Sequence, residues 1–230
     1  MRDRPNSVML FAAGFGTRMG SLTATCPKPL INVGGKPLID HALDLVRAYN
    51  PARIVTNLHY LPDQIEAHLS GSNVSFSREE PEILETGGGL RAAQSFLGAD
   101  PVFTMNTDAI WQGPNPLNYL AHRWHEEEMD ALLLCIPKAK ALGHQGEGDF
   151  IIDSDDHATR GPGLIYSGLQ IIKTNLLPTI EQRKFSLNLL WDIMLSEGRL
   201  CAAEYPGNWC DVGQPESIAL AESLLNDVDV

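Results

Sequence analysis

Apolar and polar positions along the chain alternate between two periods. Residues 8–13 (VMLFAA) are an unbroken apolar run that stops at glycine, which predicts a short strand buried on both faces. Residues 37–49 instead set Leu38, Ala42, Leu45 and Val46 on one face at helical spacing. The alternation continues with a strand over 53–56, a short helix over 62–69 carrying Ile65 and Leu69, and a strand over 74–77. A helix over 90–97, a strand over 102–105, a helix over 117–128 and a strand over 131–136 (ALLLCI) follow. Helical crossovers between strands predict a Rossmann-like α/β fold, a mixed but mainly parallel sheet with helices on both faces.

Beyond Pro137 the pattern loosens. Residues 143–148 hold three glycines and predict a loop, and the segment 138–148 is a candidate lid from its length and glycines. Residues 150–153 and 164–172 predict further strands, candidates for antiparallel additions. A helix over 187–197, a strand over 200–204 and a closing helix over 215–225 complete the chain. Without a repeat, a low-complexity tract or a linker, residues 1–230 read as one domain.

Composition narrows the possible partners. No apolar run approaches the ~20 residues of a membrane helix, and the first apolar stretch is too short for a secretory leader. The formal charge of −12 argues against bulk nucleic-acid binding, which depends on neutralising phosphates. Cys26, Cys135, Cys201 and Cys210 form no CxxC pair and read as reduced thiols of a cytoplasmic protein. The histidines show no H-E-x-x-H spacing, which argues against a zinc enzyme.

Against this acidic background, two rigid loops carry cations. Gly14-Phe15-Gly16-Thr17-Arg18-Met19-Gly20 follows the first strand directly, where glycines let backbone N–H groups approach an anion. Met19 breaks the dinucleotide fingerprint and no P-loop motif occurs, so the loop is either a third kind of phosphate cradle or an ordinary turn. Ten residues past Arg18, Lys28 stands between Pro27 and Pro29 on a backbone expected to be stiff and extended. Together, Arg18 and Lys28 make a positive site in a negative chain. Asp108 and Asp211 each also fit a turn former, and spacing alone does not bring them together. The glycines of Glu85-Thr86-Gly87-Gly88-Gly89 do not suit a helix interior, where each costs ~1 kcal/mol, so they read as a turn into the following helix.

Ala12-Ala13-Gly14-Phe15-Gly16-Thr17-Arg18-Met19 with Pro27-Lys28-Pro29-Leu30 resembles the signature of sugar-1-phosphate nucleotidylyltransferases, the nucleotide-sugar pyrophosphorylases. Four later segments agree: Glu85–Gly89, Asn106-Thr107-Asp108, Tyr166-Ser167-Gly168-Leu169-Gln170, and Trp209-Cys210-Asp211-Val212-Gly213. The likeness runs from residue 8 to about 218, and its joint pattern is specific where single pieces are not. It implies transfer of a nucleotidyl group from a nucleoside triphosphate to a sugar 1-phosphate, with release of pyrophosphate. Length, the ETGGG segment, residues 57–60 and the Gly148-Asp149-Phe150 strand entry look most similar to a bacterial uridylyltransferase subgroup. That subgroup acts on N-acetylmuramate 1-phosphate in cell-wall recycling.

The resemblance also implies roles. Arg18, Lys28 and Asp108 would be catalytic, and Asp108 with Asp211 would hold Mg²⁺. Ala12, Ala13, Gly14, Gly16, Thr17, Glu85, Gly87, Gly88 and Asn106 would bind the nucleotide, with main-chain groups of Gly87–Gly89 reading the edge of the base. Asn57, His59, Tyr60, Asp149, Tyr166 and Gly168 would bind the sugar. His59 equally fits a loop histidine and Tyr60 a packing residue. The nucleophile in such a reaction is already an anion, so the obstacle is charge: two unit charges ~5 Å apart repel by roughly 3 kcal/mol at an effective dielectric near 20. Catalysis is then positioning and neutralisation. Two alternatives remain at this level: guanylyl or other nucleotidyl transfer to mannose 1-phosphate or a related phosphate, or a binding module without chemistry.

Overall fold

The computed structural model describes residues 4–98 and 101–227. β1 (Ser7–Phe11) is the first apolar run, and Ala12 and Ala13 already belong to the loop beyond it. The two-residue strands β2 (Asn32–Val33) and β3 (Lys36–Pro37) turn the chain into α1 (Leu38–Tyr49), which buries Leu38, Ile39, Ala42, Leu43 and Val46. Asn50 ends α1 in the left-handed region, where its N–H reaches the carbonyls of Val46 and Arg47. Then come β4 (Arg53–Leu58), α2 (Pro62–His68), β5 (Ser75–Arg78), α3 (Glu85–Leu97), β6 (Val102–Asn106), β7 (Ala109–Gln112) and α4 (Pro116–Arg123). The second half contains β8 (Ala131–Ile136), β9 (Ala141–Leu142), β10 (Phe150–Ile152), β11 (Ala158–Arg160) and β12 (Ile165–Ile172). It closes with α5 (Asn188–Ser196), β13 (Leu200–Glu204), β14 (Asn208–Asp211) and α6 (Glu216–Asn226).

Seven strands form the central sheet in the order β13-β8-β12-β6-β1-β4-β5. β1 lies parallel to β4 and β6, β4 to β5, and β13 to β8. β12 alone runs antiparallel to both neighbours, β6 and β8. The mainly parallel sheet and the antiparallel addition are thus both present. Residues alternate across the sheet: Val8 and Leu10 pack with Ile39, Leu43, Leu117 and Leu120, whereas Met9 packs with Val55, Leu90, Ala93 and Leu190. Burial on both faces is why the strands read as unbroken apolar runs. Each fully buried aliphatic side chain contributes about 1.5–3 kcal/mol.

Three expectations change. α4 stops at Arg123, short of residue 128, because Trp124 turns to extended backbone and buries its indole in the core. The α3 helix begins at Glu85 rather than 90, so Gly87–Gly89 are helix interior after all. Lys28 does not continue the extended backbone of Pro27. It opens a 3₁₀ turn, Lys28–Leu30, closed by Leu30 N–H to the Pro27 carbonyl (2.9 Å) and Ile31 N–H to the Lys28 carbonyl (3.0 Å). Among the described residues no helix is long and apolar enough to cross a membrane.

Candidate active site

A cavity of about 310 Å³ opens at the carboxyl ends of β1, β4 and β6, bordered by Phe11, Asn57 and Asn106. Open α/β sheets bind ligands at this edge. The glycine loop forms one wall. Gly16 sits at φ 64°, ψ 29°, and a Cβ there would come within 2.9 Å of the Lys28 and Thr23 side chains. Only glycine both takes the left-handed turn and lets the Lys28 stem pass. Gly14 has open space where a Cβ would be, so its backbone faces the cavity bare. Thr17 and Arg18 begin the following 3₁₀ segment and line the cavity with Ala12 and Ala13.

β7 and β14, which the sequence reading did not separate as strands, bring the distant aspartates together. They pair antiparallel with Asp211 opposite Ala109, and the Val212 N–H donates to the Asp108 carbonyl at 2.9 Å. Lys28 Nζ donates to Asp108 Oδ2 at 2.7 Å. A Cβ on Gly213 would lie 3.1 Å from Asp211 Oδ2 and 3.3 Å from Arg18 Nη1, so carboxylate and guanidinium converge there. Burial pushes the Asp211 carboxyl above the usual range and repulsion from Asp108 adds to this, against the pull of Lys28, Arg18 and His144. Two carboxylates under mutual repulsion offer the hard oxygen donors that a divalent cation takes. His144, on the glycine-containing loop after β9, places Nδ1 3.9 Å from Asp211 Oδ2.

The ETGGG segment acts differently from a free turn. The start of α3 has no side-chain cap among the described residues. Instead the Gly87 and Gly88 N–H groups donate to the Phe185 carbonyl at 2.9 and 3.0 Å. The 183–185 segment must lie close for this: a Cβ on Gly87 would strike the Phe185 ring at 2.4 Å, and one on Gly88 the Arg183 carbonyl at 2.6 Å. These amides are engaged within the protein, and neither glycine lines the cavity. Glu85 and Thr86 do line it, with Glu85 held at φ 61°, a costly conformation for a residue with a Cβ.

Glu79, absent from the sequence reading, organises this wall. It is buried, accepts from Asn57 Nδ2 at 2.6 Å and from the Leu84 N–H at 2.6 Å, and borders the cavity. Asn57 Oδ1 in turn accepts from the Ala12 N–H at 2.9 Å. Asn57 is therefore a strut between β4 and the glycine loop. His59 and Tyr60 line neither this cavity nor the next. Tyr60 donates to the Thr23 carbonyl at 2.7 Å, the His59 ring nitrogen Nδ1 lies 2.8 Å from the Glu79 carbonyl oxygen, and both rings flank Phe15. They brace the loop from behind.

A second cavity of about 370 Å³ shares Phe11, Thr86 and Asn106 with the first. Asp149, Tyr166, Phe150 and Trp191 stand on its far side. Asp149 Oδ2 accepts the Tyr166 N–H at 2.8 Å. Gly168 lies outside both cavities. It makes the irregularity of β12 at φ 84°, where a Cβ would strike the Asn106 side chain at 2.6 Å, and so gives Asn106 its place. Among the described residues one acidic and histidine trio, Asp153, Asp155 and His157, has close ligand atoms. It is an exposed turn between β10 and β11, in which Asp153 Oδ1 accepts the Asp155 and His157 N–H groups, and it borders neither cavity.

Two loop cations beside two carboxylates suit nucleotidyl transfer, and this chain is a nucleotidyltransferase. It belongs to the MobA-like NTP transferase domain family, whose pattern matches residues 8–182. It is 36% identical to the N-acetylmuramate alpha-1-phosphate uridylyltransferase of Caulobacter vibrioides over 98% of this chain and 99% of that protein. It is 31% identical to the enzyme of the same name from Neisseria meningitidis over 94% of this chain and 96% of the other. The crystal structure of HddC from Yersinia pseudotuberculosis, complexed with GMP-PN, has the same fold, with a TM-score of 0.76, 24% identity and coverage of 96% and 99% of the two chains.

Proposed function

We propose that this protein transfers the uridylyl group of UTP to N-acetylmuramate 1-phosphate, a step in the recovery of cell-wall sugar. Arg18, Lys28 and Asp108 line one cavity and Asp211 stands beside them behind Gly213, and this convergence carries the reading. The two uridylyltransferase relatives, similar over nearly their whole lengths, support the choice of base and sugar. A phosphate oxygen of the sugar attacks the α-phosphorus, the bond from that phosphorus to the bridging oxygen breaks, and pyrophosphate leaves. No proton has to move, so no side-chain base is required.

Asp108 and Asp211 would hold Mg²⁺, which supplies positive charge at the α-phosphate. Arg18 offers the triphosphate a planar fork of donors. Lys28, held in the ion pair with Asp108, supplies a fixed ammonium at the same carboxylate edge. Gly14 and Gly16 keep the loop backbone low beneath the phosphates. The shared border of Phe11, Thr86 and Asn106 seats the reacting phosphates between nucleotide and sugar. Pyrophosphate release, measured with each nucleoside triphosphate against a panel of sugar 1-phosphates and MgCl₂, tests this. UTP with N-acetylmuramate 1-phosphate should give the highest kcat/KM. A clear preference for GTP with mannose 1-phosphate, or nucleotide binding without release for every pair, would overturn it.

A further inference from the structure

The second cavity has a chemical bias of its own. Four aromatic residues, Phe11, Phe150, Tyr166 and Trp191, make its border apolar enough to receive the faces of a sugar ring. Among the described residues bordering it, Arg160 is the one cation. Arg160 ends β11, and its guanidinium carbon lies 5.5 Å from the Phe150 ring centre and 5.9 Å from that of Trp191. Nη2 donates to Asn188 Oδ1 at 3.0 Å and to Asp192 Oδ1 at 2.8 Å, while Nε donates to Asp192 Oδ1 at 3.2 Å. Two rings and two α5 side chains thus hold the guanidinium plane at the cavity rim.

Catalysis at the phosphates does not use this cation. Neutral sugars need hydrogen-bonding groups here and no net positive charge. Asp149, the acidic neighbour, is committed to the Tyr166 N–H. The other, Asp192, meets Arg160 where both side chains are half exposed, at 42% and 59%, and such pairs are weak. A ligand carboxylate can share or displace it and gain a charge-assisted fork. We infer that Arg160 is a specificity residue that binds the carboxylate of an acidic sugar 1-phosphate and selects it over the neutral sugar of the same ring. The inference rests on the acidic-sugar reading above and assigns the residue that would enforce it.

N-acetylmuramate 1-phosphate and N-acetylglucosamine 1-phosphate differ by one carboxylate-bearing ether, so their calorimetric affinities isolate the contact without nucleotide. The wild-type chain should bind the acidic sugar at least about tenfold more tightly, the scale of one charged hydrogen bond. Arg160→Gln should bring that ratio close to one, and Arg160→Lys should keep part of it. Asp192→Asn removes the competing anion, so it should tighten the acidic sugar selectively, and it stands as the independent arm should Arg160→Gln fail to fold. Equal wild-type affinities, a preference that survives Arg160→Gln, or weaker acidic-sugar binding in Asp192→Asn would overturn the assignment and leave Arg160 a strap between hairpin and helix. Uridylyl transfer is measured in parallel. An Arg160-dependent preference with no turnover would sink the proposed reaction and leave the carboxylate site standing.

Discussion

Asp211 shows how the site is balanced residue by residue. Its carboxyl is raised first by burial and then by Asp108, so ionising it costs the folded protein free energy. The sign follows from linkage: with the folded value above the unfolded one, the stability tied to its protonated form is complete at low pH and lost as pH rises through the folded value. Asp211→Asn should therefore raise the melting temperature in EDTA at neutral pH, and the gap to wild type should narrow on acidification. If Asp108 and Asp211 hold Mg²⁺ as proposed, MgCl₂ should raise the melting temperature of the wild type, and the same substitution should erase that rise and cut turnover by about a hundredfold or more. An Asp211→Asn protein melting below wild type in EDTA would show the carboxylate to be structural. Lys28→Ala removes the partner 2.7 Å from Asp108 and should lower kcat by about 10²–10³ with the base preference unchanged. A switch in nucleotide preference would place Lys28 at the base instead.

At the scale of elements, α3 reverses the usual rule for glycine. Alanine inside a helix normally gains about 1 kcal/mol over glycine. At Gly88 the new Cβ would meet the Arg183 carbonyl, a backbone atom that moves only if the 183–185 segment lifts and frees the helix amides from Phe185. Gly88→Ala should thus cost about 1–3 kcal/mol, read as a lower denaturation midpoint. This is also where the sequence was hardest to read. Apolar runs such as Ala131–Ile136 announce strands because both faces are buried, and the left-handed Gly16 sits in a loop that adjacent residues define. A triplet of glycines says nothing of what presses on it: Phe185 lies about a hundred residues away, and β7 and β14, the ladder that joins Asp108 to Asp211, lie about as far from each other. Proximity across that separation is made by the sheet order. Asp130 is a similar product of folding. Burial pushes its carboxyl up, but hydrogen bonds from Arg199 and Lys173 outweigh that and hold it below the usual value. Those bonds, with Lys173 N–H on the Asp130 carbonyl and Asp130 N–H on that of Arg199, staple the ends of β8, β12 and β13 away from the site. A depressed value contributes stability above the unfolded pKa of about 3.9 and loses it as pH falls through the folded one. Asp130→Asn should melt lower than wild type at pH 7, with the difference closing below about pH 4.

Over the whole molecule the charge is strongly negative, and the site mixes both signs. The chain carries −12, and the proposed triphosphate site sets Arg18 and Lys28 among the carboxylates Glu79, Glu85 and Asp108. Which field a nucleotide feels depends on ionic strength. At about 0.01 M the Debye length is about 30 Å, so the net negative charge repels an approaching triphosphate from well beyond the cavity. Near 0.15 M it shrinks to about 8 Å, and in the proposed binding mode a triphosphate that brings Mg²⁺ to the carboxylates feels chiefly Arg18 and Lys28. Close to 1 M it falls to about 3 Å and even their attraction is screened. The kcat/KM for the magnesium triphosphate should therefore rise between about 0.01 and 0.15 M NaCl and fall towards 1 M. Arg18→Ala should flatten the fall without removing the rise, because only the fall belongs to the cradle. A rate that declines steadily from the lowest salt would mean that the local cations outweigh the net charge at every range, and the acidic surface would then have no part in substrate capture.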